Sequence, residues 1–210
     1  MEIAFGEDVF RKYKCIRKLG DSTFEVLGND VQVVKIIDIP VNQSDIFDLL
    51  MKDMNMASIE EHYKKEADRI TKQLERFAYI KEDSHIFKHD EFEVSKIPGG
   101  TGWRIKILKD KMVTLEEYRK VHDMTKAELI KLGLDLCDAL MEGLNAGCHH
   151  GHICMENVYI SPKDHFLLDD FSIRKSNDMM DLQRLLSQLG LDVPCEEDPW
   201  KMKECIYEIQ

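Results

Sequence analysis

The chain has 210 residues, 43% of them apolar and 33% charged, with a formal net charge of −11. That balance argues against an intrinsically disordered protein. The negative sum argues against a nucleic-acid partner, which needs a broad basic footprint, and no run approaches the roughly 20 apolar residues of a membrane helix. The first eight residues carry acids and no apolar leader, so a cytoplasmic location is expected. Six cysteines, at positions 15, 137, 148, 154, 195 and 205, are too sparse for a disulfide framework and are expected as reduced thiols, several of them simply small buried groups.

In chain order, residues 13–19 alternate, Gly20-Asp21-Ser22 reads as a turn, and 31–37 is a β-branched run, so the chain opens with strands. Pro40 and Asn42 end that run, and 44–59 is a methionine-rich insert with a short helix of its own. Ile59, Tyr63, Ala67, Ile70, Leu74 and Phe77 recur at three- and four-residue steps, which predicts a long amphipathic helix over 59–79. Residues 85–94 and 103–108 alternate on either side of Pro98-Gly99-Gly100-Thr101-Gly102, the pattern of a hairpin. Helical periodicity follows over 114–121 and 126–146. Thr125 ahead of Glu128 marks a capping box, and Gly147 marks the end of the second helix. Short apolar runs at 158–160 and 166–168 flank Ser161-Pro162-Lys163-Asp164 as a small hairpin. Residues 178–189 form a last helix, before Pro194 and an acidic tail with Trp200. Strands first and helices later predict an α+β fold in two lobes.

Lys35 lies inside the β-branched run. An ammonium buried there needs a carboxylate, which Glu66 on the following helix can supply; otherwise Lys35 stands at a strand edge in water.

The segment His150-Gly151-His152-Ile153-Cys154-Met155-Glu156-Asn157, followed by Leu168-Asp169-Asp170-Phe171-Ser172, resembles two motifs of protein kinases. These are the catalytic loop His-Arg/Gly-Asp-x-Lys-Pro-Glu-Asn and the metal-binding Asp-Phe-Gly. Lys35 and Glu66 then fall where that family has its strand-three lysine and αC glutamate. Lys35-Ile36-Ile37-Asp38-Ile39-Pro40, Gly102-Trp103 and the stretch from Leu132 to Leu140 are similar to bacterial serine/threonine kinases of the clostridial type. The resemblance runs from about Phe10 to Leu189. It implies a protein-kinase-like two-lobed fold: a β-rich N-lobe over 1–112, with the insert at about 41–59, and a helical C-lobe over 113–210. It also implies nucleotide-binding positions at Gly20, Val26, Val33, Lys35, Glu66, Met112, Asn157 and Asp170, with Asn157 and Asp170 as ligands for Mg²⁺ beside ATP.

The departures from the family are as informative. His152 stands where the family has the aspartate that accepts the substrate's proton, and Cys154 stands where it has a phosphoryl-contacting lysine. Glycines of the nucleotide loop are replaced by Ser22 and Glu25, and the latter brings a carboxylate toward the triphosphate. Val33 replaces a small alanine, and Lys109 falls at the gatekeeper position, ahead of Asp110-Lys111-Met112 as the hinge. Only 173–177 separate Asp-Phe-Ser from a stretch resembling the αF helix, so the activation segment and the lower C-lobe helices are expected to be missing. The reading that follows is a pseudokinase that binds nucleotide weakly or not at all, with a protein partner or a homodimer covering its apolar surface. Trp200, Met202, Ile206 and Tyr207 are candidates to cover part of that surface. An active ATP-dependent phosphotransferase with an unconventional catalytic loop is the alternative, in which His152, Asp169 or Asp170 takes over; against it, Asp169 reads as a solvated turn acid. A zinc site over Cys148, His149, His150, His152 and Cys154 is a further rival, with poor spacing for one tetrahedral ion.

Overall fold

In a computed structural model, residues 12–19, 21–42, 44–78, 83–169 and 177–209 are described. They form a mixed α+β protein that divides into two compact units. One comprises Met1–Ala78 with His89–Lys111; the other comprises Tyr79–Lys88 with Met112–Gln210. Among the described residues no helix is long and apolar enough to cross a membrane, and the six cysteines are thiols outside any disulfide.

The first unit is a five-stranded antiparallel sheet with two helices. Its strands are β1 (Lys14–Lys18), β2 (Thr23–Leu27), β3 (Val31–Ile39), β4 (Glu91–Lys96) and β5 (Trp103–Asp110), in the order β1-β2-β3-β5-β4. Strand alternation sorts the side chains of β3 onto two faces. Val34 joins Phe24, Val26 and Leu108 in one apolar cluster, with Ile36 packed against it. Ile37 and Ile39 lie on the opposite face with Ile105 and Ile107. Helix α2 (Met56–Ala78) lays Ile59, Tyr63 and Ala67 on that second face, the stripe that the three- and four-residue spacing predicts. Helix α1 (Ser44–Leu50), the short helix expected within the insert, contributes Ile46 and Leu49 to the same cluster. Its other side leaves Phe47 and the following Met51 exposed.

Gly102, at the mouth of the β4–β5 hairpin, is there for want of room. A Cβ on it would lie 2.6 Å from the Ile39 carbonyl oxygen, which is main chain and cannot swing aside.

The second unit is built around α4 (Lys126–Asn145). Thr125 accepts the Glu128 N–H while the Glu128 carboxylate accepts the Thr125 N–H, the capping box expected from the sequence. These contacts hold the Glu128 carboxyl down at about 2, the Thr125 backbone contributing most. At the other end Gly147, with φ of 70°, follows the cap residue Ala146. The Cys148 N–H reaches back to the Gly143 carbonyl and the Gly147 N–H to that of Leu144, a Schellman closure. A three-stranded sheet, β6 (Val113–Thr114), β7 (Val158–Ile160) and β8 (Phe166–Leu168), supplies Val158 and Leu168 to the buried interior. Helices α3 (Leu115–Arg119) and α5 (Asp178–Leu189) complete most of what the pattern predicts.

Two expectations about elements fail. The strand expected over 85–94 begins only at Glu91. Residues ahead of it pair instead with β8, where Ile86 bridges Leu168, the Leu168 N–H bonds to the His85 carbonyl and the Phe87 N–H to that of Leu168. Burial of Ile86 and Phe87, the latter against the Tyr159 ring, outweighs the alternation. The acidic tail is also a helix, α6 (Pro199–Glu208), capped by Asp198 with Pro199 in its first turn. It buries Met202 and Ile206 on α4, where a Cβ on Gly133 would stand 2.8 Å from Ile206 Cδ1, while Trp200 and Tyr207 stay half exposed. Of the four residues expected to cover apolar surface, two do so.

Because Ile206 is fully buried, Ile206→Ala is expected to lower unfolding free energy by about 2–5 kcal/mol. Urea denaturation followed by circular dichroism measures it, with Tyr207→Ala on the exposed side expected to change little.

Candidate functional site

In the first unit the site positions fall on β2, β3 and α2. Strand register pairs Thr23 with Lys35 and Lys35 with Ile107, and pairs Glu25 with Val33 and Val33 with Lys109. Because Ile107 faces α2, these two cross-strand rows lie on the helix-bearing face of the sheet. Lys35 is therefore central, on a strand with neighbours on both sides, and half-buried; the strand-edge reading is set aside. Glu66 is on α2 one residue before buried Ala67, with its carboxylate 3.8 Å from the Arg69 guanidinium one helical turn on.

Val26 does not join them. The register carries it to the other face, where it is fully buried beside Phe24 and Val34. Val33 and Lys35 share a surface, and Val26 is part of the core behind it. Gly20 and Asp170 lie outside the described residues.

Glu25 occupies the row of Val33 and Lys109, and is only 5% exposed. Lys111 donates to one of its oxygens at 2.7 Å and Arg17 donates to the other. Lys111 first and Arg17 second hold its carboxyl below the usual carboxylate range, so it is an anion at neutral pH. The carboxylate expected to face a triphosphate is thus fixed in place by two cations of the same unit. Lys109, in the same row, is also buried, 7% exposed.

In the second unit a loop is fixed by one histidine and one aspartate. His150, 1% exposed, donates its Nε2 hydrogen to the Asp169 carbonyl and accepts the His152 N–H on Nδ1 at 3.1 Å. One nitrogen donating and the other accepting defines a neutral ring of a single tautomer. The main-chain N–H groups of His150 and Gly151 both point at the Asp178 carboxylate, at 3.1 and 2.8 Å. Gly151 has φ of 91°, a region unfavourable to residues with a Cβ, and this turns the two N–H groups toward one acceptor.

His152, where the resemblance calls for an aspartate, is exposed. Its carbonyl accepts the Asn157 side-chain amide at 3.0 Å, and the Asn157 carbonyl accepts the Asp169 N–H at 2.9 Å. Asn157 is thereby held by the loop it belongs to, with its carboxamide oxygen left as the atom suited to a cation. Cys154 donates to Glu156, and burial together with that carboxylate pushes its thiol up to about 11. It is a neutral thiol at physiological pH. Met112, half-buried, begins the second segment of the second unit immediately before β6.

Asp169 is a correction. It is buried, 7% exposed, where a solvated turn acid is expected from the sequence. Its main chain explains this, because the N–H and the carbonyl are both engaged in the loop, to Asn157 and His150. The zinc arrangement over 148–154 also does not form. His150 has both ring nitrogens engaged, Cys148 is buried with its thiol on the Ala146 carbonyl, and Cys154 is bonded to Glu156. Sequence reasoning missed the Arg17–Glu25–Lys111 arrangement, whose only trace was an acidic residue in an otherwise apolar strand. No family model matches the chain, and no curated protein matches it.

Removing the Asp178 carboxylate orphans two main-chain donors. Asp178→Ala is expected to destabilise the protein by on the order of 1–3 kcal/mol per donor left buried. Asp178→Asn, which retains one acceptor oxygen, should recover part of it; urea unfolding of both variants measures the difference.

Proposed function

We propose that the chain is a catalytically impaired pseudokinase, a regulatory or protein-binding module with weak or no nucleotide binding, of a protein-kinase-like two-lobed fold. The observation that carries this reading is the loop over 150–157. Its scaffold is intact, through His150, Asp178 and Asn157, while an exposed imidazole stands where the resemblance calls for an aspartate. Loss of a positioned general base costs on the order of 10²–10⁴ in rate. A neutral Cys154 in place of a lysine removes a second contribution to transition-state charge.

The fit to Mg²⁺ and ATP is partial. Asn157 keeps an oxygen suited to Mg²⁺, and Lys35 is half-buried on the helix-bearing face of the sheet. Glu25 is held by Lys111 and Arg17, which commits both cations to a carboxylate of the chain itself, and Val26 is withdrawn into the core. A protein-binding role draws support from the exposed Val41, Phe47 and Met51 around α1, apolar side chains that are costly to leave in water as a group.

A thermal-shift titration with ATP, with and without Mg²⁺ or Mn²⁺, tests the reading on wild type and Lys35→Ala. At a hundredfold excess over its dissociation constant a nucleotide stabilises by roughly 2.7 kcal/mol, or about 5–10 °C for a chain of this size. The expected result is a negligible shift at millimolar ATP in both proteins. A metal-dependent rise that Lys35→Ala abolishes would overturn it, making the chain a nucleotide-responsive module and reopening the phosphotransferase alternative. Phosphate release from ATP would then be measured directly.

A further inference from the structure

The second unit contains a convergence of ligand atoms that the function proposed above does not use. His85 comes from the segment paired with β8, Asp135 from the middle of α4, and His165 from the turn between β7 and β8. One ligand atom from each lies within 4.8 Å of the others. His85 Nε2 is 3.3 Å from Asp135 Oδ1, and His165 Nδ1 is 3.8 Å from Asp135 Oδ2. Two donors on one tetrahedral zinc ion lie about 3.3 Å apart, so the first pair is already at that spacing and the second needs only a small closure.

The position is not idle, because a cation of the chain itself occupies it. Lys131 Nζ donates to Asp135 Oδ2 at 2.7 Å and lies 3.2 Å from His165 Nδ1. An ammonium has only hydrogens to offer, so the His165 Nδ1 lone pair points inward at the same place as the carboxylate oxygen. Asp135 Oδ2 also accepts the Phe166 N–H at 2.9 Å, which fixes the carboxylate, and its side chain is one-tenth exposed. Lys131 and His165, by contrast, are 40% and 48% exposed, which gives an ion a way in and the lysine a way out.

We propose that His85, Asp135 and His165 form a zinc site, with Lys131 as an internal cation that holds Asp135 and His165 together and yields its place to the metal. Three protein ligands leave a fourth position for water, and the bound ion ties α4, the β7–β8 turn and the segment before β4 to one point. Imidazole and carboxylate together suit Zn²⁺ better than Mg²⁺ or Ca²⁺.

The test is a calorimetric Zn²⁺ titration of the tag-free, chelator-stripped full chain, with Co²⁺ as a spectroscopic substitute. One equivalent is expected to bind wild type, at least about tenfold more weakly to His165→Ala and to His85→Ala, and more tightly to Lys131→Ala. Co²⁺ should give visible ligand-field bands with no thiolate charge-transfer band. His165 is in an exposed turn, so His165→Ala decides the matter alone if His85→Ala does not fold. Absence of stoichiometric binding in both wild type and Lys131→Ala would overturn the proposal. So would undiminished binding to His165→Ala, or a thiolate band that places the ion on Cys148 or Cys154.

Discussion

The carboxylate of Asp178 is the contact on which the second unit's 150–157 loop depends. It takes the N–H groups of two successive residues, His150 and Gly151, and stands in the first turn of α5, where a negative charge is favoured by the helix dipole. With those two groups fixed, the His150 ring is placed to reach the Asp169 carbonyl, and through it the strand that ends at Leu168. Asn157 then closes the loop from the other side. None of these contacts involves the side chain at 152, so exchanging that residue leaves the loop's framework untouched.

In the first unit the governing constraint is the two-sidedness of a five-stranded sheet. One face is divided between an apolar cluster around Val34 and ion pairs such as the bidentate Arg104–Asp38 contact, 2.7 Å at each oxygen. The other face is apolar where α2 covers it and charged beyond, at Lys35, Glu25 and Lys109. A chain of net charge −11 thus sets two cations on one buried carboxylate at a single place. Such a carboxylate cannot be left uncompensated, and its two partners hold β1 and the end of the β5 segment to β2.

Most elements were legible because their signals are local. Apolar steps of three and four residues mark α2, Thr125 with Glu128 marks the start of α4, and the α5 bounds of 178–189 follow from periodicity alone. The failures share a cause in long-range burial. Residues 85–87 alternate like a strand of the first sheet yet pair with β8, some eighty positions later, because Ile86 and Phe87 are buried there. Helix α6 was hidden by its acidic and proline-containing start, although Pro199, Met202 and Ile206 carry the helical spacing. At the candidate site, residue identities pointed to Lys35, Asn157 and His152, but only strand register could reveal that Val26 faces away from Val33. The Glu25 ion pairs, and the approach of His85, Asp135 and His165, join residues far apart in sequence and leave no motif.

The bridge between Ile86 and Leu168 has a consequence for biogenesis. The chain passes from the first unit to the second at residue 79, returns at 89 and leaves again at 112, so neither unit is a continuous stretch of polypeptide. During synthesis the segment around Ile86 emerges long before β8 exists to receive it, and its apolar side chains must wait in water. The first sheet is likewise incomplete until β4 and β5 follow that segment out of the ribosome. Maturation of the two units is therefore interlocked, and a protease cut between residues 79 and 88 would sever a strand connection of one unit and an interior piece of the other at a stroke.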